Sequence, residues 1–394
     1  MRTLISLAIS VLTFASLAHA DESKREPAMQ DFQDHSVIQE TVVDPTKGAW
    51  HWEAAYTGEV GRNMTGGNRV GSFFLSLATL RSSFDLEPLA GWKGASAFIH
   101  LQATHGDDPS QFVGDSQLTS NIEAPADTAK LYEAWFEQKG FDGKASLLFG
   151  VYDLNSEFYV SEPAGLFLNS SFGIGTEIAQ TGRVSIFPSP GLGLRVKAEV
   201  NDEFYLQTAV FEGTAGDPDR IHGTQIKYDP SEGQYVIIEA AQHSENHKYA
   251  VGGWSFTQPG PVANTGVYII GNQNLTEKVA VFARYGTASA EANRFRSNLG
   301  AGLVFTGLLP SRPEDQCGLA FTSVSNGDVY VQTSNAAGVP VDRDETTIEL
   351  TYQISLGGDV SVQPDLQYVI NPDTDPNREN ALVASLRFRI GIED

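Results

Sequence analysis

The chain has 394 residues, with 26 Lys and Arg against 49 Asp and Glu, and a formal net charge of −23. That balance argues against nucleic-acid binding, which needs basic patches to meet phosphates. Cys317 is the single cysteine, so neither an internal disulfide nor a cysteine-based metal site is available. The acidic excess suits a cation-tolerant lumen, external loops that bind divalent cations, or simply well-solvated loops.

Residues 1–20 read as an export leader. Arg2 supplies the positive end, Leu4 to Leu17 the apolar core and Ala18-His19-Ala20 the small-x-small cleavage site. Residues 21–48 are polar and acidic, carry Pro27 and Pro45, and show no periodicity; they read as a periplasmic segment or a short plug. Beyond residue 20 no stretch approaches the roughly 18 apolar residues of a transmembrane helix.

From 49 to 394 the chain reads as one domain of consecutive strands. Expected strands lie near 49–60, 69–84, 92–105, 130–140, 144–153, 173–186, 192–200, 203–212 and 222–228. They continue near 233–243, 247–257, 264–275, 277–287, 298–308, 316–325, 346–356, 359–369 and 380–390. These runs slightly exceed the even number near ~16 that encloses an aqueous channel, so one or two are false or split. Short turns at 141–143, 201–202 and 357–358 alternate with long connections at 106–129, 154–172, 213–221, 326–345 and 370–379. That asymmetry belongs to an outer-membrane barrel with short periplasmic turns and long external loops.

The alternation is clearest near the end. Ile348, Leu350, Tyr352, Ile354 and Leu356 oppose Thr347, Glu349, Thr351, Gln353 and Ser355. Val360 to Tyr368 oppose Ser361 to Gln367, and Leu382 to Ile390 oppose Val383 to Arg389, in the same rhythm. Side chains alternate faces along a strand, so each run has an apolar and a wet face. Runs of about ten residues match a tilted strand crossing a bilayer. The expected fold class is therefore all-β, a transmembrane antiparallel barrel of about 16 strands. A soluble sandwich with its charges outward is the alternative.

On the barrel reading, charges on the polar faces point into the lumen, because Lys or Arg at the bilayer midplane costs about 2–4 kcal/mol. In 130–138, Glu133, Trp135 and Glu137 oppose Tyr132, Ala134 and Phe136. Arg195, Lys197 and Glu199 oppose Leu194, Val196 and Ala198, and Lys278 and Arg284 oppose Val281 and Ala283. Further basic lumen candidates are Arg62, Arg69, Arg81 and Arg183. Opposed charges across a constriction suit polar neutral solutes, and charge rings set ion preference. Trp92 and Trp135 are candidates to stack on a pyranose ring, whereas Trp50, Trp52, Trp92 and Trp254 also fit the interfacial aromatic girdles.

Several words of the sequence go beyond a generic barrel. Trp135, Glu137 and Gln138 precede Asp153-Leu154-Asn155-Ser156-Glu157-Phe158, then Phe167-Leu168-Asn169-Ser170-Ser171-Phe172-Gly173. Gly307 to Pro310 with Pro313 follow, and Gln363-Pro364-Asp365-Leu366-Gln367-Tyr368-Val369-Ile370-Asn371-Pro372 comes last. In this order the words resemble the OprB-type carbohydrate-selective porin family over roughly 49–392. The resemblance implies a barrel passing sugars passively. It departs at Phe388-Arg389-Ile390-Gly391-Ile392-Glu393-Asp394, which lacks the usual final aromatic residue.

Asp153, Asn155 and Glu157 stand at a strand end entering a long segment. They either reach sugar hydroxyls or cap backbone N–H groups. The pore-lining candidates are thus Glu133, Trp135, Glu137, Asp153, Asn155, Glu157, Arg195, Lys197, Arg284 and Glu349. His243 and His247 flank a hairpin turn rather than sharing a helix face, so zinc is not expected. No nucleophile elbow occurs, and neither an enzyme nor a cofactor is expected. Expected partners are sugars or other small hydrophilic solutes, outer-membrane lipid and the barrel-insertion machinery, for a monomer or homotrimer. The alternatives are a general or anion/organic-acid porin and an exported soluble sugar-binding protein.

Overall fold

The computed structural model describes residues 48–394 except 218–221, 225, 227 and 258–261. The expected leader and the acidic segment up to residue 47 lie outside the described residues.

Sixteen antiparallel strands close on themselves, each paired with its sequence neighbours and β1 paired with β16. They are β1 (Trp50–Thr65), β2 (Gly71–Asp85), β3 (Ala95–Gly106), β4 (Thr128–Gly140), β5 (Ala145–Tyr152), β6 (Gly191–Asn201), β7 (Phe204–Glu212) and β8 (Gln234–Ser244). The second half comprises β9 (His247–Phe256), β10 (Asn264–Thr276), β11 (Val279–Thr287), β12 (Phe295–Thr306), β13 (Gln316–Asn326), β14 (Asp344–Ser355), β15 (Val360–Ile370) and β16 (Ala381–Glu393). Closure removes every sheet edge, which lets a strand cross hydrocarbon with its backbone satisfied.

The period-2 reading holds along the last hairpins. Ile348 is 42% exposed and Leu350 50%, while Glu345, Thr347 and Glu349 are fully buried. The outward face meets lipid and the inward face meets the lumen contents. Pairs such as Leu350↔Leu366 and Glu349↔Gln367 keep each face uniform from strand to strand.

Two expected strands are absent. Residues 173–186 form the short helix Thr176–Ala179 and irregular chain, and the described residues among 222–228 are not strand. Both lie in connections whose backbone groups bond to loops and wall instead of a ladder. A helix also forms at Asp328–Ala336 within the long connection 327–343, where no helical period was expected; none of its residues is buried.

One face assignment changes. A bulge between the His100↔Glu133 and Leu101↔Leu131 pairs inserts an extra residue in β4. Tyr132 and Glu133 consequently both point inward and both are buried. Trp254 is also inward and buried, stacked on Tyr235 at 5.6 Å, so it belongs to no girdle. Trp50 and Trp92 are each 54% exposed at the short-turn end, beside Phe84 and Phe136, as girdle residues are.

Candidate functional site: an inward loop held on wall carboxylates

The connection from β5 to β6, residues 153–190, folds into the lumen. A loop placed there carries N–H groups that no strand ladder satisfies, and the wall supplies acceptors for them. Glu133 accepts from the Asp153 amide at 2.9 Å, and Glu239 from the Tyr159 amide at 3.1 Å. Glu349 accepts from Leu168 and Asn169 at 2.5 and 3.1 Å. Arg284 donates to the Phe172 and Gly173 carbonyls at 2.7 and 2.9 Å. The loop is thereby fastened to β4, β8, β11 and β14 in turn.

The connection 107–127 is docked by the same chemistry. Ser116 and Gln117 donate their amides to Glu345 at 2.8 and 3.1 Å. Ser120 Oγ donates to Glu59 at 3.0 Å, and Arg387 completes that carboxylate at 2.7 Å. A carboxyl group suits this task, since its two oxygens can accept from two adjacent amides at once. Wall glycines leave room for the loop. A Cβ at Gly318 would stand 2.6 Å from Phe167 Cζ, and one at Gly286 would overlap the Glu177 carboxylate.

Within the loop, Asp153 accepts from the Asn155 amide at 2.7 Å, the Phe187 amide at 3.1 Å and the Tyr132 hydroxyl. Burial, with the Glu133 carboxylate adding to it, pushes the Asp153 carboxyl up to about 7 against those bonds. Burial likewise pushes Glu177 up to about 7, opposed in part by its helical backbone bonds and by Arg284.

A second set of charges keeps contact with water. Arg195 Nη2 lies 2.9 Å from Glu137 and 3.4 Å from Glu157, with Glu137 12% and Glu157 20% exposed. Arg81 bonds Glu53 at 2.8 Å on the adjoining wall. Lys197 pairs with Glu199 at 3.1 Å and lies 4.6 Å from the Tyr205 ring. Trp135, on the same face of β4 as Glu137, stacks on Phe98 at 5.1 Å.

The ten residues singled out from sequence thus divide. Glu137, Glu157 and Arg195 come together, and Trp135 and Lys197 lie on the same stretch of wall. Glu133, Asp153 and Asn155 are covered at the loop's root; Asn155 donates its amide to Phe158 O. Arg284 and Glu349 point inward as expected, yet the loop lies over them and they hold it. Among the other basic candidates, Arg62 is on the outer face bonding Ser72, Arg69 stacks on Phe112, and Arg183 sits in the inward loop. Tyr132, Glu59, Glu239, Glu345 and Arg387 were not anticipated. Glu239 alone was marked, as the one carboxylate of β8; the others carry no such signal in their strands.

A closed 16-stranded barrel with an apolar outer belt and an inward-folded loop defines an outer-membrane porin, a channel for small solutes. The family model described as "Carbohydrate-selective porin, OprB family" matches residues 76–261 and 256–391, and the chain belongs to that family. It is an outer-membrane porin for carbohydrates. Porin B of Pseudomonas aeruginosa is 22% identical over 440 residues, covering 97% of this chain and 95% of that one. Porin AaxA of Chlamydia caviae is 34% identical over 128 residues, 32% of this chain and 27% of that one. The high-pH structure of Pseudomonas putida OprB superposes with a TM-score of 0.79 at 21% identity, over 87% of this chain and 94% of that one. The outer-membrane channel DcaP of Acinetobacter baumannii shares the fold with a TM-score of 0.57 at 6% identity, over 87% and 97% of the two chains.

Proposed function

We propose that sugars pass between the wall of β1 to β6 and the inward loop, with Glu53, Arg81, Glu137, Arg195 and Glu157 facing the path. One observation carries the reading: Arg195 is held between two carboxylates that water still reaches. Opposed charges at a hydrated wall orient sugar hydroxyls as donors and acceptors, with one carboxylate in excess over the guanidiniums. Trp135 and Phe98 are buried against each other behind these charges and back the wall rather than face the path. Lys197 and Glu199 extend the same pairing along β6.

Residues 1–20 direct export on this reading, residues 21–48 stay on the periplasmic side, and the insertion machinery assembles the barrel as a monomer or homotrimer. Liposome swelling with the purified protein tests the path. Glucose enters at the wild-type rate, and Arg195→Gln slows it while shifting reversal potentials toward cations, because Glu137 and Glu157 lose their counter-charge. Ions passing while glucose is excluded would overturn the assignment.

A further inference from the structure

At the long-loop end, residues of three connections and of β4 and β5 surround a cavity of about 40 Å³, partly open to solvent. That is room for a few water molecules or for one compact charged group. Leu131 and Val151 give it an apolar side, and Lys130, Arg183 and Ser189 a polar one. Arg183 Nη1 is buried and meets no hydrogen-bond partner among the described residues. Lys130 donates only to the Pro188 carbonyl, a neutral acceptor. Among the described residues no carboxylate lies within ion-pair distance of Arg183 or Lys130, in a chain with a net charge of −23. Asp217 also lines the cavity and has its own partner.

A buried guanidinium nitrogen without an acceptor is costly, and a bound anion would supply that acceptor. The planar fork of arginine matches a carboxylate or phosphate, with the lysine as a second point charge. We propose that this cavity captures the carboxylate or phosphate group of an anionic sugar, a uronate or a sugar phosphate, whose ring stays in the open mouth of the channel. The proposal rests on the carbohydrate-channel reading above and adds a charged substrate class and a second location. Lys130 and Arg183 lie outside the set of residues that line the path.

Titration of the full-length protein in lipopolysaccharide-free detergent, with glucuronate, glucose 6-phosphate and glucose as probes, tests it. Both anions bind at least about tenfold tighter than glucose, as charge-assisted bonds require. Lys130→Gln with Arg183→Gln abolishes that preference, and Arg183→Lys keeps part of it. Glucose swelling and single-channel conductance stay at wild-type values in both variants. Equal binding of glucuronate and glucose by the wild type, or a preference surviving the double variant, overturns the site. Arg183-dependent retention of lipopolysaccharide that glucuronate does not displace would assign the cations to a lipid phosphate and overturn it as well. Loss of glucose swelling in the wild type would instead sink the channel reading, so the two failures are distinguishable.

Discussion

The last hairpins, β14 to β16, and the inward loop 153–190 are built on opposite logics. In the hairpins each residue's environment follows from its parity: Leu350 meets lipid and Glu349 meets the lumen because they are neighbours on a pleated strand. In the loop, parity means nothing. Leu168 and Asn169 are placed because Glu349, far away in sequence, accepts both of their amides. A wall is specified locally and repetitively, and a constriction is specified by a few long-range acceptors. Glu349 belongs to both, with its backbone in the wall and its carboxylate in the constriction.

Substitutions separate the two regions, beginning with the wall. Leu350→Arg puts a charge on the lipid face and is expected to cost about 2–4 kcal/mol. The heat-modifiable folded band on a semi-native gel should shrink or vanish; an unaltered band would show that this face is not in hydrocarbon. Glu349→Gln leaves the lipid face alone and replaces one of the two accepting oxygens by an amide donor, removing about 1–3 kcal/mol of loop docking. The barrel should still assemble, while residues near 168 become open to protease and conductance rises. Collapse of assembly in Glu349→Gln would mean that wall and constriction are not separable.

Acidity offers a gentler probe. Asp153 at the loop's root has a docked-state value pushed up to about 7 by burial beside Glu133, above the roughly 3.9 of a free aspartate. The docked loop therefore holds a proton that the released loop gives up. Docking is firmest below about pH 4 and weakens as pH rises toward 7. Hydrogen exchange at Tyr159 to Phe172 should accelerate between about pH 4 and 7 beyond the intrinsic base-catalysed rise, and Asp153→Asn should flatten that profile. Glu177 acts with the same sign, so some slope persists in the variant. The smallest effect belongs to Lys197→Gln. This side chain is 26% exposed, so stability should move by less than about 0.5 kcal/mol, with a modest gain in cation preference from Glu199.

The legibility of the chain followed the same division. The strand faces at 192–200 and 345–390 were readable because lipid tolerates no exception at midplane positions such as Val196 and Ile348. The bulge at Tyr132 was not readable, since an extra residue in one strand appears only against the register of its partner. The spurious strand at 173–186 has enough apolar residues to be one, yet Ile174, Ile178 and Val184 are buried inside the barrel rather than on its surface. Asp153, Asn155 and Glu157 read from sequence either as sugar contacts or as caps of backbone N–H groups. Only the fold divided them, with Asp153 and Asn155 closing the root of the loop and Glu157 reaching Arg195.

By itself the sequence determined an acidic, disulfide-free membrane barrel and the two faces of its regular strands, because two-sided alternation and the cost of charge in lipid act locally. Tertiary structure alone decided which lumen residues meet water. That depends on a loop laid across the wall, and the loop's course is chosen by buried carboxylates and glycine gaps that its own residues do not encode.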